Sequence, residues 1–336
     1  MALVDSFGRS IQYLRVSVTE RCNFRCHYCR PAQGGAPIPR EELLSLEELA
    51  RLLDIFVGLG VRRVRLTGGE PLLRRNLLHL IRSIRPLAGL EEISLSTNGY
   101  LLGAMAHDLA AAGVERVNIS LDSLNPATFA DLTRGGDLDR VLAGIDGALA
   151  AGLHPVKVNM VVMGGINDHE IPAMVDFAWE RGVRLRFIET MPVGEVGGRA
   201  VQRYVSAGEI LERIRQHRGV ALIPEDHPSL TGPARLFRLE GSEARVGIIS
   251  AMSRHFCSDC NRMRLTSRGD MVLCLGREDR VDLRCALRAG ADDAQLADLI
   301  RRGVAAKPEG HGFRPPRPEA ESSGAAVGHR MSALGG

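Results

Sequence analysis

Val61-Arg62-Arg63-Val64-Arg65-Leu66-Thr67-Gly68-Gly69-Glu70-Pro71 is the stretch on which the fold turns. Alternation puts Arg63, Arg65 and Thr67 on one face of a strand, with Val64 and Leu66 on the other. Two glycines and a proline then break the strand, and an amphipathic stretch to about Arg85 reads as a helix. The same strand-turn-helix unit recurs in both directions. Upstream, Leu14–Val18 reads as a strand, and Ser45-Leu46-Glu47-Glu48 is a capping box opening a helix that closes near Gly58 and Gly60. Downstream, strands at 92–96, 114–120, 156–162 and 183–188 alternate with helices over about 103–112, on to about 151, and over about 169–181. Six such units in succession predict an α/β fold with a parallel sheet and helical crossovers.

The pattern changes after Met191. Ser206-Ala207-Gly208-Glu209 caps a further helix, and 235–239 with 245–249 reads as an antiparallel pair around Gly241. The expected organisation is a core over 1–195, a second region over 196–304, and a Pro/Gly-rich tail over 305–336 that composition alone would leave flexible.

Hydrophobic content of 45% and charged content of 25% in 336 residues are ample for a globular core. No apolar run approaches the ~18 residues of a membrane span. Asp5 and Arg9 interrupt any signal-like start, so the expected compartment is the cytoplasm. A net charge of +3 is too mild to indicate nucleic acid.

The seven cysteines fall into two groups of three, Cys22, Cys26 and Cys29, then Cys257, Cys260 and Cys274, with Cys285 apart. In a reducing compartment, spaced cysteines bind metal or do catalysis more often than they form disulfides. Cys22-x3-Cys26-x2-Cys29 places three thiolates within eight residues. That suits a four-iron cluster with one iron left open; a structural zinc with a fourth donor from elsewhere is the alternative. Spacing alone leaves the second group balanced between a cluster and a zinc site, with Cys285 a conceivable fourth ligand or simply a small buried hydrophobe.

In a parallel sheet both faces are normally buried, so charges within strands need a reason. Arg15 with Ser17 and Thr19, Arg63 with Arg65, Asn118 with Ser120, Lys157 with Asn159, and Arg184 with Arg186 recur on one face of successive strands. If the sheet curls, these faces converge on an interior suited to a polyanion such as a triphosphate; the alternative is an open, solvated face. The cysteine loop, Gly68–Pro71, Thr97–Gly99, Asp122-Ser123 and Glu189–Pro192 all fall at strand C-termini, the end where βα barrels build active sites.

Cys22-x3-Cys26-x-Tyr28-Cys29, followed after the next strand by Thr67–Pro71, resembles the signature of the radical S-adenosylmethionine superfamily. Asp5-x2-Gly8-Arg9, Leu14–Ser17, Phe256-Cys257-x2-Cys260-Asn261-Arg262-Met263-Arg264-Leu265 and the closing Gly335-Gly336 extend the likeness, nearly end to end, to its GTP 3′,8-cyclase family. That resemblance implies a partial (βα)6 TIM-like barrel whose open side the C-terminal region covers. It implies two [4Fe-4S] clusters, on Cys22, Cys26 and Cys29 and on Cys257, Cys260 and Cys274, with the first binding S-adenosylmethionine to generate a 5′-deoxyadenosyl radical. That radical would take the 3′ hydrogen of GTP, and closure onto C8 would give 3′,8-cyclo-7,8-dihydro-GTP for molybdenum cofactor biosynthesis.

The resemblance maps cofactor contacts to Tyr28, Gly69, Ser120 and Met191, and GTP contacts to Arg15, Arg65, Ser96, Lys157, Arg262, Met263 and Arg264, with Arg63 and Arg186 weaker. Gly335-Gly336 would reach back into the site. Ser96 departs from the family's usual threonine but keeps the hydroxyl. Implied partners are GTP, an electron donor and a downstream cyclic pyranopterin monophosphate synthase, without nucleic acid or membrane; monomer and homodimer both stay open. A peptide-modifying radical enzyme with an auxiliary cluster is the nearest rival, and a zinc-binding nucleic-acid module a more distant one.

Overall fold

The computed structural model describes residues 2–33, 38–219, 221–225, 232–242, 244–316, 328 and 331–335. Six strands alternate with helices: β1 (Tyr13–Ser17), α1 (Leu46–Gly58), β2 (Arg63–Thr67), α2 (Leu77–Ile84), β3 (Glu92–Thr97), α3 (Leu102–Ala112), β4 (Arg116–Ser120), α4 (Pro126–Thr133), α5 (Leu138–Ala150), β5 (Lys157–Val162), α6 (Ile171–Glu180) and β6 (Arg184–Glu189). The capping box opens α1: Ser45 accepts from the Glu48 amide, and the Glu48 side chain accepts from the Ser45 amide at 2.7 Å. From there Leu49, Leu52, Leu53 and Phe56 turn one apolar face inward. That face packs with the inward Val64 and Leu66 of β2 into one continuous core.

β1 to β6 pair in chain order, all parallel. The C-terminal region does not sit apart from this sheet; it lengthens both edges. β7 (Leu222–Glu225), β8 (Arg235–Leu239) and β9 (Arg245–Ile249) form an antiparallel run whose last strand pairs parallel with β6. β10 (Arg262–Leu265) pairs parallel with β1 and antiparallel with β11 (Asp270–Val272), which carries β12 (Arg280–Asp282). Among the described residues the result is a single open sheet of twelve strands, a partial TIM-like barrel whose parallel part counts eight. No described helix is long and apolar enough to cross a membrane.

In the 305–336 stretch, whose composition suggests flexibility, the described residues are anchored. Buried Lys307 donates to the Leu273 carbonyl at 2.7 Å. Arg9, itself paired with Asp5 at 2.6 Å, donates to the carbonyls of Cys257 (2.8 Å), Pro308 (2.7 Å) and Glu309 (2.5 Å). Phe313 and Leu334 are buried in a small apolar cluster with Val193, Val201 and Met252. Gly336 lies outside the described residues. Cys285 corrects the expectation of a buried small hydrophobe: it is exposed near the start of the Leu283–Arg288 helix, which Asp282 caps.

Candidate active site

One large cavity opens at the C-terminal ends of the parallel strands. Arg15, Arg65, Ser96, Asn118, Ser120 and Arg186 line it from the barrel, Tyr28 from the cysteine loop, and Cys257, Cys260, Cys274, Arg262 and Arg264 from the C-terminal region. Of the residues singled out in the sequence, Cys22, Cys26, Cys29, Gly69, Lys157 and Met263 are not among those lining this cavity.

The register explains the charge. Arg264, Arg15 and Arg65 stand side by side on β10, β1 and β2, with Ser94 next on β3. Burial lowers the pKa of all three; Arg264 lowers that of Arg15 further, and Arg262 that of Arg264. Burial and then Arg65 bring Arg186 down to about 9; burial and then Arg186 bring Lys157 down to about 6. Arg65 has partners: Nε donates to Ser94 at 3.3 Å, and the Asn118 carbonyl oxygen, with its amide correctly oriented, accepts from the same guanidinium at 2.7 Å. The Nε atoms of Arg15 and Arg264 are buried with no partner. Buried guanidinium nitrogens left without partners are costly, and an anion in the cavity would offset that cost.

Lys157 lies at the start of β5, next to Asn118 and Arg184 in register and beneath the cavity-lining Asn159. Arg63 and Arg184 occupy the first positions of their strands and stay outside the cavity. Met263 is a correction. Alternation along β10 turns it away from Arg262 and Arg264, and its side chain is buried in the hydrophobic core opposite Leu14.

Cys22, Cys26 and Cys29 are free and half-buried. Burial and then the Asp122 carboxylate push Cys26 well up, burial and then Cys22 push Cys29 to about 12, and burial raises Cys22. Three soft donors that resist ionising without a cation fit an iron–sulfur cluster, whose positive irons would hold them as thiolates. The Gly-Gly pair serves this loop. A Cβ on Gly68 would sit 2.3 Å from the Thr19 carbonyl oxygen, and one on Gly69 2.2 Å from that of Arg21. What the glycines admit is therefore the backbone of the cysteine loop itself, tied by Gly69 N to Thr19 O and Glu70 N to Arg21 O, both 2.7 Å.

Buried carboxylates fasten the other loops. Glu70 accepts from the Thr97 hydroxyl and the Asn98 amide, both at 2.7 Å, and burial raises its pKa to about 7. Glu189 accepts from Tyr204 (3.0 Å), the amides of Ala207 (2.8 Å) and Met252 (2.8 Å), and Ser253 through both amide (3.0 Å) and hydroxyl (2.5 Å). It thereby joins the Met191 loop, whose methionine lines the cavity, to the segment leading into Cys257. The sequence marks Glu189 only as an acid at the C-terminal end of a strand and gives no signal for this fastening role.

The second cysteine group is also free and half-buried. Burial raises Cys257; it opposes ionisation of Cys260 too, but Arg262 and Lys307 outweigh it and bring that thiol to about 7. His255 and His311, which spacing could not connect, bring ring nitrogens within 4.8 Å of Cys257 Sγ. Gly335 ends a short helix, Met331–Leu334, at the cavity edge, where an added Cβ would lie 2.0 Å from Thr67 Cγ2.

Fold and cysteine loop together define a radical S-adenosylmethionine protein. The family model of the Radical SAM superfamily matches residues 16–178, and that of Molybdenum Cofactor Synthesis C matches 183–313. The GTP 3′,8-cyclase of Hydrogenovibrio crunogenus is 52% identical over 314 residues, 93% of this chain and 95% of that protein. That of Rhodopseudomonas palustris is 47% identical over 337 aligned positions, covering 99% and 96%. Among solved structures, Streptococcus suis SuiB bound to precursor peptide SuiA superposes with a TM-score of 0.61 at 16% identity, over 96% of this chain and 70% of that one, a likeness of fold. The chain belongs to the GTP 3′,8-cyclase family.

Proposed function

We propose that this protein converts GTP to 3′,8-cyclo-7,8-dihydro-GTP, the opening step of molybdenum cofactor biosynthesis. The observation that carries the reading is a cluster of arginines, two of them with a buried partnerless Nε, lining a cavity that Cys257, Cys260 and Cys274 also line and that Tyr28 of the first cysteine loop enters. A [4Fe-4S] cluster on Cys22, Cys26 and Cys29, with S-adenosylmethionine bound, supplies the 5′-deoxyadenosyl radical chemistry.

Every other task falls to the chain. Arg15, Arg65 and Arg264 face the triphosphate from three adjacent strands, where guanidinium forks suit phosphate oxygens. Arg186 and Lys157 add charge, and Ser96 and Arg262 complete the substrate lining. Tyr28, Gly69, Ser120 and Met191 belong to the cofactor half. Cys257, Cys260 and Cys274, which line the substrate side of the cavity, would hold a second [4Fe-4S] cluster. The Met331–Gly335 segment excludes water from the substrate half. An external electron donor and a separate downstream synthase complete the sequence.

Exchange of one cysteine in each group tests the division of labour. With about eight irons in the parent, from two four-iron clusters, Cys22→Ser and Cys257→Ser each retain about half. Cys22→Ser abolishes cleavage of S-adenosylmethionine; Cys257→Ser keeps cleavage but loses GTP turnover. Equal cleavage by Cys22→Ser and parent would overturn the assignment.

A further inference from the structure

The cysteine loop leaves β1, three strands from β4 in the sheet, yet one of its side chains spans the mouth between them. The Tyr28 hydroxyl donates to Asp122 Oδ2 at 2.7 Å, just past the end of β4. Asp122 is 2% exposed and held independently of Tyr28. Its Oδ1 accepts from the Val161 amide at 2.8 Å, and its carbonyl from Asn167 Nδ2 at 2.7 Å. Asn167, fully buried, also donates to the Val161 carbonyl at 2.9 Å and accepts from the Met163 amide at 2.8 Å. The carboxylate is therefore fixed by β5 and the turn after it, whether or not Tyr28 arrives.

The remaining fastenings of the loop act elsewhere. The amides of Arg25 and His27 donate to the carbonyls of Thr133 and Leu132, both at 3.0 Å, and Asn98 donates to Asn23 at 2.8 Å. These fasten the loop at Asn23, Arg25 and His27, whereas the Tyr28 side chain reaches across to Asp122 through its hydroxyl. Both Tyr28 and Asp122 line the cavity, with Ser120 and Met191 beside them.

We propose that Asp122 is a positioning residue that sets the Tyr28 ring across the cofactor half of the cavity, which rests on the reading of that half as the S-adenosylmethionine subsite. It touches no reacting atom; it acts through Tyr28. A tyrosine hydroxyl on a carboxylate is a charge-assisted hydrogen bond, stronger and more directional than a neutral one.

The test uses the reconstituted holoenzyme under anaerobic conditions, comparing parent, Asp122→Asn, Asp122→Ala, Tyr28→Phe and the Tyr28→Phe/Asp122→Asn pair. Losing one hydrogen bond to a charged group raises the KM for S-adenosylmethionine about tenfold. The KM for GTP and the iron content stay at parent values, and the double variant is no worse than Tyr28→Phe. A merely structural role for Asp122 would lower iron content or move both KM values. Unchanged S-adenosylmethionine affinity in Tyr28→Phe, or losses that add in the double variant, would overturn the proposal, and Tyr28→Phe gives that answer even if Asp122→Ala fails to fold. A parent holoenzyme that does not bind S-adenosylmethionine would instead overturn the reading of the site.

Discussion

Arg15→Met should make this protein more stable and a worse binder of GTP. Arg15 sits between Arg264 and Arg65 in register, with a buried Nε that has no partner. Replacing a buried, uncompensated charge by an apolar chain of similar length stabilises by about 1–3 kcal/mol, at the lower end because Arg15 is only half-buried. At an unfolding entropy of about 2.1 cal/mol/K per residue, 336 residues make 1 kcal/mol equal to about 1.4 °C in Tm. The ligand-free variant should therefore melt about 1.5–4 °C above the parent.

Ligand narrows the gap. Loss of a charged hydrogen-bonding group on phosphate weakens binding by about tenfold or more. GTP at 100 times the parent Kd adds about 2.7 kcal/mol to the parent and about 1.4 kcal/mol to the variant, shifts of about 4 °C and 2 °C. Differential scanning fluorimetry with and without GTP reads both numbers. A variant that melts below the parent without ligand, yet gains the same shift with GTP, would refute the claim that the well is strained for an anion.

Three further outcomes follow from the same geometry. Lys157 has its pKa lowered to about 6 in the folded protein against an ordinary 10.5, so the unfolded chain holds more protons between those values and stability rises with pH across them. A triphosphate in the well restores that proton, so GTP binding near pH 7.5 should be accompanied by proton uptake, read by calorimetry in buffers of different ionisation enthalpy and absent in Lys157→Met. Gly69→Ala drives a Cβ against the Arg21 carbonyl and should cost the first cluster, leaving about four irons of about eight by colorimetric assay. Gly335→Ala combines a φ of +71° with a 2.0 Å clash on Thr67 and should undock Met331–Leu334, seen as faster amide exchange in that helix, with S-adenosylmethionine cleavage outlasting GTP turnover.

The six βα units were legible because their signals are local: a capping box at Ser45 and Glu48, alternation in β2, glycines at the turns. The added parallel edges, β10 on β1 and β9 on β6, were not, since a pairing between Tyr13 and Arg262 leaves no mark on either segment alone. Strand alternation found the cationic face, and the same rule applied to β10 would have excluded Met263. The family resemblance carried that residue into the site where periodicity argues against it. Composition misjudged the described part of the tail because its anchors are distant: the Asp5–Arg9 pair grips the carbonyls of Pro308 and Glu309, three hundred residues away along the chain. Glu189 and Asp122 were legible as acids at the functional ends of strands, but their fastening roles were not, because only the fold brings their donors together.

The most direct test of the central claim is a single anaerobic turnover experiment. Protein reconstituted with iron and sulfide is given dithionite, S-adenosylmethionine and GTP, and the products are followed by mass spectrometry. The account predicts 5′-deoxyadenosine together with 3′,8-cyclo-7,8-dihydro-GTP, at about eight irons per chain. Deoxyadenosine formed while GTP is left intact would contradict the assigned substrate, and zinc-loaded protein that forms no deoxyadenosine would contradict the whole account.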